Sequence, residues 1–534
     1  MSLQDITAQR YEGGNPRLRR YHQARWDEPI IFELSLKGQR GILLPEVELE
    51  IKNNVGDILS TLPEKMRRKQ PPALPELPQV RVLQHYLRLS QETLGAGLVA
   101  DMGMATSTVK YNPPVNEQLA RSPKMAELHP LQNEKTVQGI LEVIYRFEQV
   151  LKEISGMARF SFQPRSGSEA IYTNASIVRA YHAAREEADK RDEIITTIFS
   201  HPSDAACPST SGYKIITLYP EQDGYPSLEA LKAAVSERTA GLFLTNPDDT
   251  GIFNPFIDEF VKVVHDAGGL CAYDQANANG LLGIARARDA GFDLCHFNLH
   301  KTFSTPHGSG GPGSGASGVT EELARFLPVP TVEFDGKKYY LDYDRPDSIG
   351  KVAPFYGVVP NILRAYAWVM SLGADGLREV AEVAVLNNNY LFKKMLEIPG
   401  VSAPYAEGKR RIDQVRYSFE QLAKETGVHS LDIALRAVDY GSHLFLSHHP
   451  FVVSEPVTIE PTESYTQRDL DELAAIIARI VDEARNIPEL VKTAPHNAPI
   501  HHISDHDCFE DPSQWAMTWR AYRRKLQQKH DGKR

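Results

Sequence analysis

The chain has 534 residues, 42% hydrophobic and 24% charged, with 59 Lys and Arg against 69 Asp and Glu for a formal net charge of −10. This composition suits a soluble globular body of two or three domains; it excludes nucleic acid as the main partner, which needs clustered basic residues, and no apolar run nears the ~18 residues that span a bilayer. Four scattered cysteines (Cys207, Cys271, Cys295, Cys508) exclude a disulfide framework or zinc ribbon, and Met1–Arg20 has no signal-peptide core, so a cytoplasmic location is expected.

Residues 1–110 read as an N-terminal arm and extended connector. Gln70-Pro71-Pro72-Ala73-Leu74-Pro75-Glu76-Leu77-Pro78 cannot form a helix interior, because proline lacks the donor N–H and crowds the preceding turn. Before it, Pro29-Ile30-Ile31-Phe32-Glu33-Leu34 is a short apolar patch in polar surroundings. An arm with so little core of its own is expected to lie on another subunit, making the chain at least a dimer.

Residues 111–345 read as a large domain. Val137, Ile140, Leu141, Ile144, Leu151 and Ile154 recur at helical spacing. Strands are then expected at Ile194–Phe199, Gly241–Thr245 and Leu270–Asp274. Between them lie a helix capped by Ser227 and a helix with Ile257, Phe260, Val261 and Val264 on one face. This β-α-β-α rhythm predicts a mainly parallel α/β sheet whose ligands sit beyond the carboxyl ends of the strands.

A smaller C-terminal α+β domain is expected over residues 346–500. It has an alternating strand around Val415, Tyr417 and Phe419, a helix from Ser430 to Tyr440, and a second helix opened by a capping-box-like Thr466 and Asp469. Residues 501–534 read as a polar tail. His501, His502, Asp505, His506, Asp507 and Cys508 meet no zinc spacing, so no metal site is expected, and Arg520, Arg523, Arg524 and Lys525 read as an exposed helix face.

The densest chemical signal is Asn298-Leu299-His300-Lys301-Thr302-Phe303, followed by the glycine-rich run from Pro306 to Gly315. Two stretches formally match GxGxxG, but Pro312 interrupts and no helical pattern follows, so neither is a dinucleotide fingerprint. A lysine held between an apolar strand and glycines suits Schiff-base chemistry with a carbonyl cofactor. Asp274 lies 27 residues upstream at an expected strand end, leaving room for one strand-helix-strand unit. An acid and a lysine so placed are what pyridoxal phosphate needs: the carboxylate keeps the pyridine nitrogen protonated and the lysine holds the aldehyde. Farther upstream, Ser166, Gly167 and Ser168 precede a helical segment and can offer amides and hydroxyls to a phosphate.

With Thr245-Asn246-Pro247 and Tyr273-Asp274-Gln275-Ala276-Asn277, these runs resemble the P-protein of the glycine cleavage system, a pyridoxal-phosphate glycine decarboxylase. The resemblance is to the lysine-bearing second subunit of split forms. Lys110-Tyr111-Asn112-Pro113, Glu127-Leu128-His129-Pro130, Ile459-Glu460-Pro461-Thr462-Glu463 and Ala494-Pro495-His496-Asn497 extend it along the chain. It implies the aspartate-aminotransferase-like type I fold and pyridoxal 5′-phosphate as cofactor. It implies Lys301 as the Schiff-base lysine, Asp274 at the pyridine nitrogen, His201 stacked on the ring, and Ser166, Gly167 and Ser168 at the phosphate. Asn246 would reach the phenolic oxygen, with Ala276 and His300 also beside the cofactor.

The implied reaction is decarboxylation of glycine, with a lipoyl carrier protein and a first P-protein subunit as partners in a homo- or hetero-oligomer. The alternatives are related carbanion chemistry on another amino acid and a non-catalytic regulatory subunit, against which Lys301, Asp274 and His201 count. Several blocks depart from the family pattern: Ala105–Lys110 lacks its cysteine, Gly167-Ser168-Glu169-Ala170-Ile171 and His201-Pro202-Ser203-Asp204-Ala205-Ala206 are altered, Gln275 is new, and Tyr440-Gly441-Ser442-His443 replaces Tyr-Gly-Phe-His. Changes at Ser107, Glu169 and Ser442 would alter substrate choice if they lie near substrate.

Overall fold

The computed structural model describes residues 16–18, 21–39, 41, 45–70, 72–93, 100–103, 110–306, 313–446, 451–499 and 518–530. Ser107, the glycine run from Gly308 to Gly311 and the cluster His501–Cys508 lie outside these residues. The chain divides into two units, one of residues 1–19 and 99–492, the other of residues 20–98 and 493–534.

In the first unit the strands are, in chain order, β1 (Ala100–Gly103), β2 (Arg159–Ser161), β3 (Glu193–Thr197), β4 (Lys214–Leu218), β5 (Thr239–Thr245), β6 (Leu270–Gln275) and β7 (Leu294–Asn298). They continue as β8 (Gly315–Val319), β9 (Thr331–Phe334), β10 (Tyr339–Asp342), β11 (Val415–Ser418), β12 (Ser442–Leu446) and β13 (Pro456–Ile459). Seven form one sheet in the order β2-β8-β7-β6-β5-β3-β4. The five strands from β4 to β7 are mutually parallel, while β8 runs antiparallel to β7 and to β2.

The continuous apolar texture of β5 reflects cover on both faces. Leu242 and Leu244 join a core cluster with Phe260 and Val264 of the helix Ile257–Asp266. Ala240 and Phe243 join another with Ile177 and Val178 of the helix Gly167–Ala184. Each of these Leu, Ile, Val and Phe side chains contributes about 1.5–3 kcal/mol on burial, which fixes which face of the strand each helix covers. The strand expected over Ile194–Phe199 ends at Thr197, where Ser200 N donates to Thr197 O at 3.1 Å and starts the turn that presents His201.

A second sheet has the order β1-β12-β13-β11. The helices Ser430–Val438 and Gln467–Asn486 share its core, and Thr466 and Asp469 close both halves of the capping box. One expectation is corrected here: β11 does not alternate between core and solvent, because all four residues are buried. Arg416 is kept inside by an ion pair to Asp249 at 3.2 Å, and Ser418 Oγ donates to Ser454 O at 2.7 Å. The long segment Val359–Leu396 is two helices meeting at Gly373, whose φ of 67° and ψ of −175° no helix interior allows.

The second unit is tied by polar contacts and ring packing. Glu28 accepts from His85 at 2.9 Å and Arg88 at 3.0 Å on the helix Gln79–Gln91, and Phe32 stacks on Trp519 at 5.1 Å. Residues 72–78 form no helix, as their prolines require. Among the described residues no helix is long and apolar enough to cross a membrane.

Candidate active site

The carboxyl ends of β5, β6 and β7 and the segment entering β11 enclose a small cavity. Its lining includes His201, Asp249, Asp274, Ala276, Lys301 and Asp413. Asp274 and Lys301 arrive there from adjacent parallel strands: β6 is paired with β7 through Asp274↔His296, and Lys301 stands in the turn just beyond β7, its N–H donating to Asn298 O at 3.0 Å.

That turn is held from several sides. Thr302 Oγ1 accepts from Ala278 N at 2.9 Å, Thr302 O accepts from Lys110 Nζ at 3.0 Å, and Ser304 Oγ donates to Tyr111 O. Ser304 takes a φ of +59°, rare for a residue with a side chain, so the turn after Lys301 is strained and held in place by its partners.

Asp274 is 3% exposed. Its Oδ1 accepts from Ala276 N at 2.8 Å and lies 3.1 Å from His296 Nε2, whereas no N–H or hydroxyl group reaches its buried Oδ2. The His296 contact is close but misdirected for a hydrogen bond, since Nε2 likewise lacks a partner. Burial alone would raise the Asp274 pKa; the fields of His296, His201 and Lys301 and the Ala276 N–H outweigh it and hold the carboxyl below its usual range. Burial lowers the pKa of His296, against the opposing field of Asp274.

His201 is fixed through its backbone and ring. Its N–H donates to Thr245 Oγ1 at 3.2 Å, and Nδ1 accepts from Ser203 N at 3.2 Å, so a neutral ring carries its proton on Nε2. Ser203 Oγ in turn bonds Ser168 Oγ at 2.7 Å, linking His201 to the predicted phosphate turn. Ser166 caps the helix Gly167–Ala184 by accepting from Glu169 N at 3.1 Å. A Cβ at Gly167 would stand 2.5 Å from Asn298 Nδ2, so any other residue here would have to displace the Asn298 amide at the end of β7.

The structure therefore brings Asp274, Ala276, His201 and Lys301 into one cavity, with Ser168 one hydroxyl away from the His201 loop. Asn246 and His300 are placed elsewhere. The Asn246 amide bonds the backbone of Asn254, accepting from its N–H at 2.8 Å, and faces a neighbouring cavity with Phe199 and Ile252. His300 Nδ1 accepts from Ser314 N at 3.0 Å and anchors the approach to β8. Of the departures tied to substrate choice, Ser442 lines a different cavity with Met102 and Tyr440, and Glu169 turns to the Arg165 N–H at 2.5 Å. Sequence reasoning assigned no role to Asp204, Asp249, His296, Asp413, Gln414 or Arg416; Asp204 alone lay in a motif it singled out.

The residues present fit pyridoxal phosphate: a buried acid with an oxygen that no N–H reaches, a lysine beyond the neighbouring strand, and a helix start kept open by a glycine. A family model described as Aminotransferase class-V matches residues 162–311, and one described as Glycine dehydrogenase, C-terminal domain matches residues 380–503. A solved structure of the glycine decarboxylase (P-protein) of the glycine cleavage system, in inhibitor-bound form, has a TM-score of 0.67 over 82% of this chain and 100% of that chain at 21% identity, a likeness of fold. The protein named "Probable glycine dehydrogenase (decarboxylating) subunit 2" of Pyrococcus abyssi is 45% identical over 508 residues, 94% of this chain and 98% of its own. Its namesake from Caldanaerobacter subterraneus subsp. tengcongensis is 43% identical over 480 residues, 89% of this chain and 96% of its own.

Fold and site define a pyridoxal-phosphate-dependent enzyme of the aspartate-aminotransferase-like type I architecture. Within that class, the chain belongs to the family of glycine dehydrogenase (decarboxylating) subunit 2.

Proposed function

We propose that the chain is the lysine-bearing subunit of a glycine decarboxylase, releasing carbon dioxide and passing the aminomethyl group to a lipoyl carrier protein with a first subunit as partner. The observation that carries this reading is the convergence of Asp274 and Lys301, with His201, on one cavity. When bound, pyridoxal phosphate supplies a carbonyl for capture of the amino acid and a ring that takes up the electrons left when carbon dioxide departs.

The chain's own residues do the rest. Asp274, held ionised by its neighbours, stabilises a proton on the ring nitrogen. Lys301 Nζ supplies the amine and later carries protons at the reacting carbon. His201, locked by Thr245 and Ser203, offers a flat face to the ring. Ser166, Gly167 and Ser168 present the helix start to the phosphate, where amide donors and the helix dipole favour an anion. The lining residues are largely buried, which limits the access of water to the reacting carbon.

A second reading is favoured by the polar lining of the same cavity, to which Asp249, Asn277, Asp413 and Gln414 contribute alongside Asp274 and Lys301. These groups suit a substrate with a polar side chain better than a bare glycine. The test is exchange of labelled bicarbonate into the carboxyl of glycine, with a lipoylated carrier and the first subunit supplied. Exchange with glycine alone supports the first reading; exchange only with a larger polar amino acid replaces it with the second.

A further inference from the structure

Asp274 has a buried companion. Asp204, in the first turn of the helix Ser203–Thr210, is 1% exposed, and its bond from Thr245 sets it beside Asp274, whose negative field it feels. The sheet register brings them together. Thr245 on β5 is the pairing partner of Asp274 on β6, and Thr245 Oγ1 donates to Asp204 Oδ2 at 3.2 Å while accepting from His201 N at 3.2 Å. Two carboxyls in one dry place do not both ionise; they hold a proton between them.

We propose that Asp204 is a positioning residue that keeps this proton and donates it in a hydrogen bond to Asp274, so that the pair presents a single negative charge to the cofactor's ring nitrogen. The proposal rests on the reading of the cavity as a pyridoxal-phosphate site.

The surroundings decide which partner keeps the proton. Asp274 faces His296, His201 and Lys301 and accepts the Ala276 N–H, all of which favour its ionised form. Asp204 faces Asp249, whose charge is met by Arg416 at 3.2 Å, and Cys207, whose thiol burial and Asp204 push up to about 11. Burial and the negative field of Asp274 push Asp204 itself well above the carboxylate range. The acceptor has room for both donors, because a carboxylate offers roughly four lone-pair sites and the Ala276 N–H takes one. The arrangement holds Asp274 in one rotamer and keeps a second negative charge out of the cavity.

An asparagine at position 204 keeps a donor and removes the titration; an alanine removes both. The apoenzyme is examined by difference infrared spectroscopy, wild type minus Asp204→Asn, at pH 7, where contributions from Asp248 and Asp413 cancel. Binding of pyridoxal phosphate is measured from pH 6 to 10 for the wild type, Asp204→Asn and Asp204→Ala. The expected results are a protonated-carboxyl band in the difference spectrum, affinity within about threefold for Asp204→Asn with the wild type's alkaline loss abolished, and at least tenfold weaker binding for Asp204→Ala. A difference spectrum without that band overturns the proposal, as does Asp204→Ala binding the cofactor like the wild type with an unchanged pH profile. If the band is present and none of the three proteins binds the cofactor, the shared proton stands and the cofactor reading falls.

Discussion

The Lys110 ammonium donates to the carbonyl of Thr302, the residue after Lys301, at 3.0 Å, with its side chain wholly buried. It also lies 3.1 Å from Glu463 Oε2 and 4.9 Å from the centre of the Trp368 ring. Lys110 thus clips the strained turn that carries Lys301. Replacement by methionine keeps the apolar stem and strands the Glu463 charge. Breaking a buried pair costs roughly 3–5 kcal/mol, and the lower end is expected here because the Glu463 side chain retains 18% exposure. Thermal denaturation of Lys110→Met should show this loss, with partial recovery in the double variant Lys110→Met/Glu463→Gln and slower cofactor capture in both.

Asp274→Asn tests the charge at the ring nitrogen. The amide keeps the shape and the bond from Ala276 N, but cannot stabilise a proton on the ring. Turnover should fall by about 10²–10³-fold, as for loss of one well-placed electrostatic group, while Lys301 still captures the cofactor. Turnover within a few-fold of wild type would remove Asp274 from the chemistry.

Buried Asp248 makes a pH-dependent contribution to stability. Its Oδ1 accepts from Thr250 N at 2.8 Å, Thr250 Oγ1 at 2.6 Å and Ile252 N at 3.2 Å, and burial pushes its pKa up to about 7. A carboxyl whose folded pKa lies above its unfolded value of about 3.9 gives its full stability below that value and loses it as pH rises through 7. Asp248→Asn keeps the three bonds without titrating. Its melting temperature should exceed the wild type's at pH 8, by a margin equivalent to about 2 kcal/mol or more, and converge with it near pH 4.

Asp413 and Gln414 offer a direct handle on substrate choice. Asp413 Oδ2 accepts from Gly280 N at 3.3 Å, and burial with the nearby Glu460 raises its pKa. Asp413→Ala should leave cofactor affinity near wild type and change the ranking of amino acids in a spectral titration. An unchanged ranking would show that the polar wall does not touch substrate.

The strands β5 and β6 were legible because burial on both faces leaves an unbroken apolar run, and Asp274 and Lys301 were legible because strand ends and glycines mark where a parallel sheet presents chemistry. Asp204 and Asp413 were not, since their neighbourhood comes from β5, β6 and β11 meeting in space and no spacing in the chain records it. The strand at Val415 was read with the wrong pattern for a related reason: Arg416 looks solvent-facing until Asp249 is placed beside it. Ser442 carried a motif signal, yet the fold sends it to a cavity away from Lys301. Motifs identified the family; sheet register assembled the pocket.

The central claim is that Lys301 holds the cofactor opposite Asp274. The purified protein, loaded with pyridoxal phosphate, is reduced with borohydride, digested and mapped by mass spectrometry. The cofactor is expected on the peptide containing Lys301, and on no other lysine. Label on Lys110, or no stable label in a protein that is folded and coloured, would contradict the account.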